Sequence, residues 1–184
     1  MSNAIEQAIA EYSSDGEKIY IMEDELGAGA NNPTLSAKYI DPYIKGAEKF
    51  MNIKERQIYI KNANKSDNFK TGYDKYTERF SPMCTPKGFC YWLINHTNNY
   101  TYIVVDLNGP KGPNVLGRDV FAFEIASEYV PAKGRQYITL PHHFYGYANP
   151  ETLCNETSTS RDNGLTCASK IMADGWQITS DYPW

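Results

Sequence analysis

Apolar and polar positions change period twice along this chain. Ile5, Ala8, Ile9 and Tyr12 fall on one helical stripe. Ser13-Ser14-Asp15-Gly16 then ends the helix. A helix of so few turns is marginal alone and must pack on something. It reads as the C-terminal stub of a longer one. A Gly/Asn loop runs from Gly27 to Asn32, and Pro33-Thr34 opens a second helical region with Leu35, Tyr39 and Ile40 on its apolar side. Asp41-Pro42 reads as an N-cap followed by proline at the first helical position. That signal predicts a third short helix to about Met51, with Ile44, Ala47 and Met51 on one face.

After Ile53 the period becomes that of strands. Gln57 to Lys61 (QIYIK) alternates, and Asn62 to Lys75 is polar and loop-like. Stronger strands follow at Phe89 to Asn95 (FCYWLIN), Tyr100 to Leu107 (YTYIVVDL) and Val120 to Ile125 (VFAFEI). Phe121, Phe123 and Ile125 share a face of the last. His96-Thr97-Asn98-Asn99 supplies a turn between the first two. Sequential strands with short links predict an antiparallel meander, and the helices are the available cover for one of its faces. Gln136 to Leu140 reads as a short edge strand stopped by Pro141. Cys167 to Asp174 (CASKIMAD) reads as a last helix with Gly175 at C′. Ile178, Tyr182 and Trp184 are expected to dock the tail on the body. The pattern shows no internal repeat and no domain boundary. The expected fold is α+β, as one domain over 1–184.

Composition narrows the class. The 184 residues are 41% hydrophobic and 22% charged, as in a globular protein. The net charge of −4 speaks against nucleic acid, whose phosphates need a basic face. Fifteen tyrosines suit a half-exposed sheet or an interaction surface, and equally a plain Tyr-rich surface. No run approaches the roughly 20 apolar residues of a membrane span, and no secretion signal is visible. Met1-Ser2-Asn3-Ala4 reads as a cloning remnant, which places the natural N-terminus upstream.

The four cysteines are Cys84, Cys90, Cys154 and Cys167. An even number at short spacings reads as a disulfide framework in an oxidising compartment. Neither pair has the spacing of a zinc site. Of the three connectivities, Cys84–Cys90 with Cys154–Cys167 is favoured, because each pair closes a short, turn-rich segment. The second would stabilise by roughly 3 kcal/mol in the chain-entropy model. Free buried thiols are the alternative.

Candidate chemistry concentrates between Asp106 and Asp119. These aspartates bracket a loop holding Asn108, Gly109, Gly112, Asn114 and Gly117. Calcium takes oxygens from carboxylates, amides and carbonyls, and glycines let carbonyls turn inward. The start, Asp106-Leu107-Asn108-Gly109, is that of a calcium loop. It is not an EF-hand, because Lys111 takes the place of the glycine and no Glu closes the loop. The same segment reads as a β-hairpin loop in which Asn-Gly and Gly-Pro set the turns and the aspartates cap backbone amides. His96, His142 and His143 read as surface or turn histidines, since neighbours in a strand point to opposite faces. The Asn-x-Thr triplets at Asn95, Asn99 and Asn155 read as chance occurrences. No nucleophile elbow, phosphate loop or H-E-x-x-H occurs. The expected function is therefore not enzymatic. A secreted hydrolase using His142 or His143 is a distant rival.

The segments AIEQAIAEYSSDG, YIDPYIKGAEKF, VDLNGPKGPNVLGRDVFAFEI and CASKIMADGWQITSDYPW together resemble the type IV pilin-like family, including type II secretion pseudopilins and minor pilins. The third is similar to that family's D-x-N-G-x-x-G-P-N-x-x-G-x-D-x-F-x-F hairpin. The resemblance implies an N-terminal helix packed across an antiparallel sheet of about four strands. It implies a C-terminal region stapled by a disulfide, matched by Cys154 and Cys167. It implies a structural subunit of a pilus or secretion pseudopilus, partnered by other pilin or pseudopilin subunits. An apolar half-helix, missing here, would anchor the precursor in the inner membrane before export to the periplasm or the cell surface. Because some pseudopilins hold calcium in a loop near the sheet's end, it also strengthens Ca2+ as a cofactor, with Asp106 and Asp119 as carboxylate ligands and Asn108 and Asn114 beside them. The alternative function is an extracellular adhesin module recognising glycan or protein, served by the tyrosines and the loop-rich stretch from Pro131 to Asn155.

Overall fold

The computed structural model describes residues 7, 10–11, 19–21, 36–38, 40–50, 60–66, 82–96, 100–125, 136–138 and 153–184. Its strands are β1 (Ile19–Ile21), β2 (Glu48–Lys49), β3 (Met83–Cys84), β4 (Cys90–His96), β5 (Tyr100–Asp106), β6 (Val120–Ile125) and β7 (Gln136–Ile138). Near the C-terminus the α-helix α1 spans Cys167–Ala173. The strands β2 to β6 form a five-stranded antiparallel sheet in sequence order. The expected meander is its centre. The run FCYWLIN becomes β4, which pairs along its whole length with β5 from Cys90↔Asp106 to His96↔Tyr100. The stretch VFAFEI becomes β6, in register with β5 from Asp106↔Val120 to Thr101↔Ile125.

At the centre of this sheet both faces are buried. Opposed residues of an antiparallel pair share a face, so Cys90, Trp92, Val104, Val120 and Ala122 line one side. They pack into a core with Ile60, Leu116, Leu165, Cys167, Ala168 and Tyr182. Tyr91, Leu93 and Ile103 line the other side and are equally buried. There the Tyr91 hydroxyl donates to Asp41 Oδ1 at 2.8 Å, and the Ser36 hydroxyl donates to the same oxygen at 2.7 Å. The second face thus ties Asp41, and Ser36 through it, to β4. Tyr43 Oη donates onward to Glu11 Oε2 at 2.5 Å.

Several expectations need correction. The helix expected from Asp41 to about Met51 is a single 3-10 turn, Asp41–Tyr43, followed by β2. Ile40, not Asp41, is the N-cap, and Pro42 falls one position later than expected. The reason is tertiary: the Asp41 carboxylate is taken by Tyr91 and Ser36, and Gly46 at φ +70° ends the local coil. The sheet has five strands where about four were expected, because the two-residue β2 and β3 carry no periodic signal. Gln136–Ile138 does not edge this sheet but pairs with β1 in a separate ribbon, Ile19↔Ile138 to Ile21↔Gln136. Of the strand expected at 57–61, only Ile60 and Lys61 are described. Lys61 bridges Val115 in parallel. Gln7, Ala10, Glu11 and residues 36–38 are helical, whereas Ile5, Ala8, Ile9, Tyr12, Leu35 and Tyr39 lie outside the described residues.

The C-terminal expectations fare better. Helix α1 ends in a Schellman motif, with Gly175 N–H donating to Met172 O and Trp176 N–H to Ile171 O. Tyr182 and Trp184 dock on the core, but Ile178 does not and is 68% exposed. Tyr182 Oη donates to the carbonyl of Gly117. Burial holds the Tyr182 phenol up at about 12, while burial and the Asp41 charge push Tyr91 far above the usual phenol range. A raised phenol pKa favours the fold while the phenol is neutral. That stability is whole below the ordinary value of about 10 and is lost as pH rises toward the folded value. Urea midpoints should therefore be level at about pH 8 to 9 and fall steeply by about pH 11.5. A level midpoint across that window would show that these phenols ionise without cost in the folded chain.

Candidate functional site

The segment between β5 and β6 is rich in polar and glycine residues, yet its key polar side chains are buried. Asp106 is 0% exposed, Asn114 5% and Asp119 8%. The chain leaves β5 at Asp106, makes a 3-10 turn at Gly109–Lys111, passes a cis Gly112–Pro113 bond and enters β6 at Val120. Asn114 sits at φ +54° and Gly117 at φ +73°. Asparagine tolerates the left-handed region because its short amide bonds locally.

Asp119 organises this loop. Its Oδ2 accepts from Asn114 N–H at 2.8 Å and from Asn108 Nδ2 at 3.1 Å, and its Oδ1 accepts from Val115 N–H at 2.6 Å. Asn108 Nδ2 also donates to Gly112 O at 2.9 Å. Asp106 Oδ1 accepts from Asn108 N–H at 3.2 Å, which makes a tight turn at the end of β5. Outside the loop, Lys61 N–H donates to Asn114 O and Leu116 N–H to Lys61 O, both at 2.9 Å. Arg118 Nε donates to Ala63 O at 3.1 Å, and its guanidinium lies 5.0 Å over the Trp184 ring.

The two disulfides hold the loop from both ends. They join Cys84 to Cys90 and Cys154 to Cys167, with Cα separations of 4.0 and 5.0 Å. This is the favoured pairing of the four cysteines. Gly109 packs against Cys90: a Cβ there would lie 3.0 Å from Cys90 Sγ and 2.8 Å from Gly88 O. Gly117 packs against Cys167, where a Cβ would lie 2.7 Å from Cys167 Sγ. Nothing in the sequence pattern joins the cysteines to this loop, because the contacts run through glycines that have no side chain to pattern.

Of the four residues proposed for calcium, the structure brings all into one loop but gives them different work. Asp106 keeps Oδ2 toward the loop interior, 3.0 Å from the Asn114 amide, and Gly109 O stands 3.0 Å from the same amide. Asn108 Oδ1 is buried with no hydrogen-bond partner. Carboxylate, amide and carbonyl oxygens are the donor chemistry of calcium, and Asp106, Asn108, Asn114 and Gly109 carry them, but in the hydrogen-bonded loop the Asn114 NH2 faces Asp106 Oδ2 and Gly109 O. Both Asp119 oxygens already accept amide protons, and with Asn114 Nδ2 turned toward Asp106 Oδ2 so do both oxygens of Asp106. Gly109 O was not foreseen, because any residue offers a carbonyl and only the turn aims it. Among the described residues no three His, Cys, Asp or Glu side chains gather, so a cation here would rest on amide and carbonyl oxygens as much as on carboxylate. His142 and His143 lie outside the described residues, as does the stretch 126–135.

A shallow groove of about 500 Å3 lies beside the second disulfide, lined by Asn155, Glu156, Thr157, Lys170, Asp181 and Tyr182 among others. Its one described cation, Lys170, is already held by Asp181 at 2.6 Å and Asp174 at 3.4 Å. Two disulfides point to an oxidising, extracytoplasmic environment. Among the described residues no helix is long and apolar enough to cross a membrane. No protein-family model, curated protein or solved structure matches this chain.

Proposed function

We propose that this chain is the head of a structural subunit of a type IV pilus or type II secretion pseudopilus. It works by assembly and carries out no turnover. The observation that supports this reading is the loop 106–119. A polar hairpin loop of the resembling family's pattern is bonded internally through Asp119 and wedged between two disulfides. Such a device makes a stiff surface, which suits a subunit that bears load against its neighbours. On this reading other pilin or pseudopilin subunits are the partners. An apolar helix preceding Ile5 anchors the precursor in the inner membrane and later packs in the filament core. The native gene should then encode about 20 apolar residues running without a break into the segment that begins at Ile5. A plain cleavable signal with no retained apolar helix would overturn assembly as the function.

Calcium belongs to the same reading, as the ion that stiffens the loop. Stripped protein should melt higher on adding saturating calcium, since a ligand at about 100 times its dissociation constant adds ~2.7 kcal/mol. For a chain of this length that is a rise of roughly 5–10 °C. Identical midpoints with calcium and with chelator would remove the ion from the proposal.

A second reading has one observation in its favour. Trp176 is 64% exposed and stacks on Phe123 with ring centroids 6.1 Å apart. A braced, exposed indole is a platform that an extracellular module could offer to glycan or protein. Loss of glycan or protein capture in a Trp176→Ala variant would favour it over assembly alone.

A further inference from the structure

The two disulfides of this chain stand in unlike surroundings. Cys154 and Cys167 are 3% and 0% exposed, and both belong to the core. Cys90 is buried as well, at 1%, but its partner Cys84 is only half-buried. Cys84 lies on β3, a strand of two residues, and the outer neighbour of β3 is β2, equally short and exposed. Elements with so few ladder bonds open locally at little cost. The hairpin between β3 and β4 has bonds of its own besides the disulfide. Cys84 and Cys90 are direct partners in its register. Thr85 N–H donates to Phe89 O and Gly88 N–H to Thr85 O, both at 2.9 Å, and the Thr85 hydroxyl donates to Phe89 O at 3.2 Å. The bond also closes the shorter span, six positions against thirteen, so breaking it releases less chain entropy.

We propose that Cys84–Cys90 is a thiol–disulfide exchange site of the folded chain, open to a dithiol, and that Cys154–Cys167 is sealed against one. A thiolate of the dithiol attacks Cys84 Sγ, the sulfur of the less buried residue. The S–S bond breaks with its electron pair on Cys90 Sγ, which takes up a proton. The second thiol of the reagent then attacks the mixed disulfide and releases Cys84, which is protonated in turn. The chain's disulfide is reduced to two thiols, and the dithiol is oxidised to a disulfide. Two thiols cannot lie as close as two bonded sulfurs, and Cys90 has no room to retreat: a Cβ on Gly109 would already stand 3.0 Å from its Sγ. Cys84 therefore moves, and the β2–β3 edge of the sheet moves with it, while the β4–β5 ladder stays in place. This exchange does not require the chain to assemble.

The test treats the full chain with dithiothreitol in the absence of denaturant. Timed samples are quenched in acid, unfolded, alkylated and mapped by mass spectrometry, so that labelling reports which bond was reduced. Cys84 and Cys90 should become reduced at least roughly tenfold faster than Cys154 and Cys167, and the chain reduced at the first bond should still melt cooperatively. Reduction of all four cysteines together, at the rate at which the chain unfolds, would overturn the exchange site, as would reduction of Cys154–Cys167 first. That measurement needs no variant. The direction of attack is read from Cys90→Ser, which leaves Cys84 alone, and Cys84→Ser, which leaves Cys90 alone. With oxidised glutathione, Cys84 should form a mixed disulfide at least roughly tenfold faster than Cys90. Equal rates in two variants that melt alike would overturn attack at Cys84.

Discussion

Replacing Gly164 with alanine should cost about 3 kcal/mol or more, which for a chain of this length lowers the melting midpoint by roughly 10 °C. Two costs add there. The residue sits at φ +100°, where an L side chain is strained by on the order of 1–3 kcal/mol. The new Cβ would also stand 2.6 Å from both Leu116 Cβ and Leu116 O, and 2.7 Å from Leu116 C. Backbone atoms cannot swing aside as a side-chain tip can. Leu116 is fixed by its bond to Lys61 O, and Gly164 N–H is fixed by a 2.5 Å bond to Leu153 O. The neighbouring Asn163, fully buried, donates to Asn155 O and Ser158 O, so the strand of chain carrying Gly164 has no slack. Gly175→Ala is the control. Gly175 has φ +70° but nothing within 4 Å of its would-be Cβ, so it should cost only the backbone strain, about 1 kcal/mol. Urea unfolding of the two variants separates clash from strain. Equal losses would mean that the 153–165 segment is not pressed against the hairpin loop.

This contact shows where sequence reading stopped. The central strands were legible because long runs of branched and aromatic residues such as FCYWLIN and VFAFEI need no partner to declare themselves. Helix α1 and its Gly175 cap were legible because capping is local. Disulfide pairing followed from short spacing. The 3-10 turn at Asp41 was misread because a local N-cap signal was overridden by a hydroxyl on β4, fifty positions away in sequence. The strands β2 and β3 were missed because two residues show no period. Asp106, Asn108, Asn114 and Asp119 stand out in the sequence as one polar cluster, but which of them bonds the loop together does not show there. Bracketing aspartates look alike in sequence. Only the positions of the Asn114 and Val115 amides show that Asp119 looks inward. The clamping of both loop ends by disulfides was invisible for a related reason. It runs through Gly109 and Gly117, whose contribution is the atom they lack.

Asp119→Ala should be the most damaging single change in the loop, at about 3–5 kcal/mol. The carboxylate accepts three hydrogen bonds, from Asn114 N–H, Val115 N–H and Asn108 Nδ2. Alanine leaves those donors facing a void. Asn114 and Val115 are both buried, so water reaches their amides poorly and each orphan costs on the order of 1–3 kcal/mol. The loss then spreads by connection. Asn114 would lose the bond that holds it at φ +54°, and Asn114 O is the acceptor for Lys61 N–H. Leu107 N–H donates to the Asp119 carbonyl at 2.8 Å and would be drawn out of line with it. The hairpin would open from its loop end while the β4–β5 ladder, which does not depend on Asp119, holds. Hydrogen exchange should therefore speed up at Asn114, Val115 and Leu107 by far more than at Trp92 or Val104. Because both Asp119 oxygens are taken by donors of the loop, the stability lost should be the same in chelator and in calcium. If calcium restored none of the loss in Asp106→Asn but most of it in Asp119→Ala, the two aspartates would have exchanged roles. The carboxylate that holds the ion would then be the one at the start of β6.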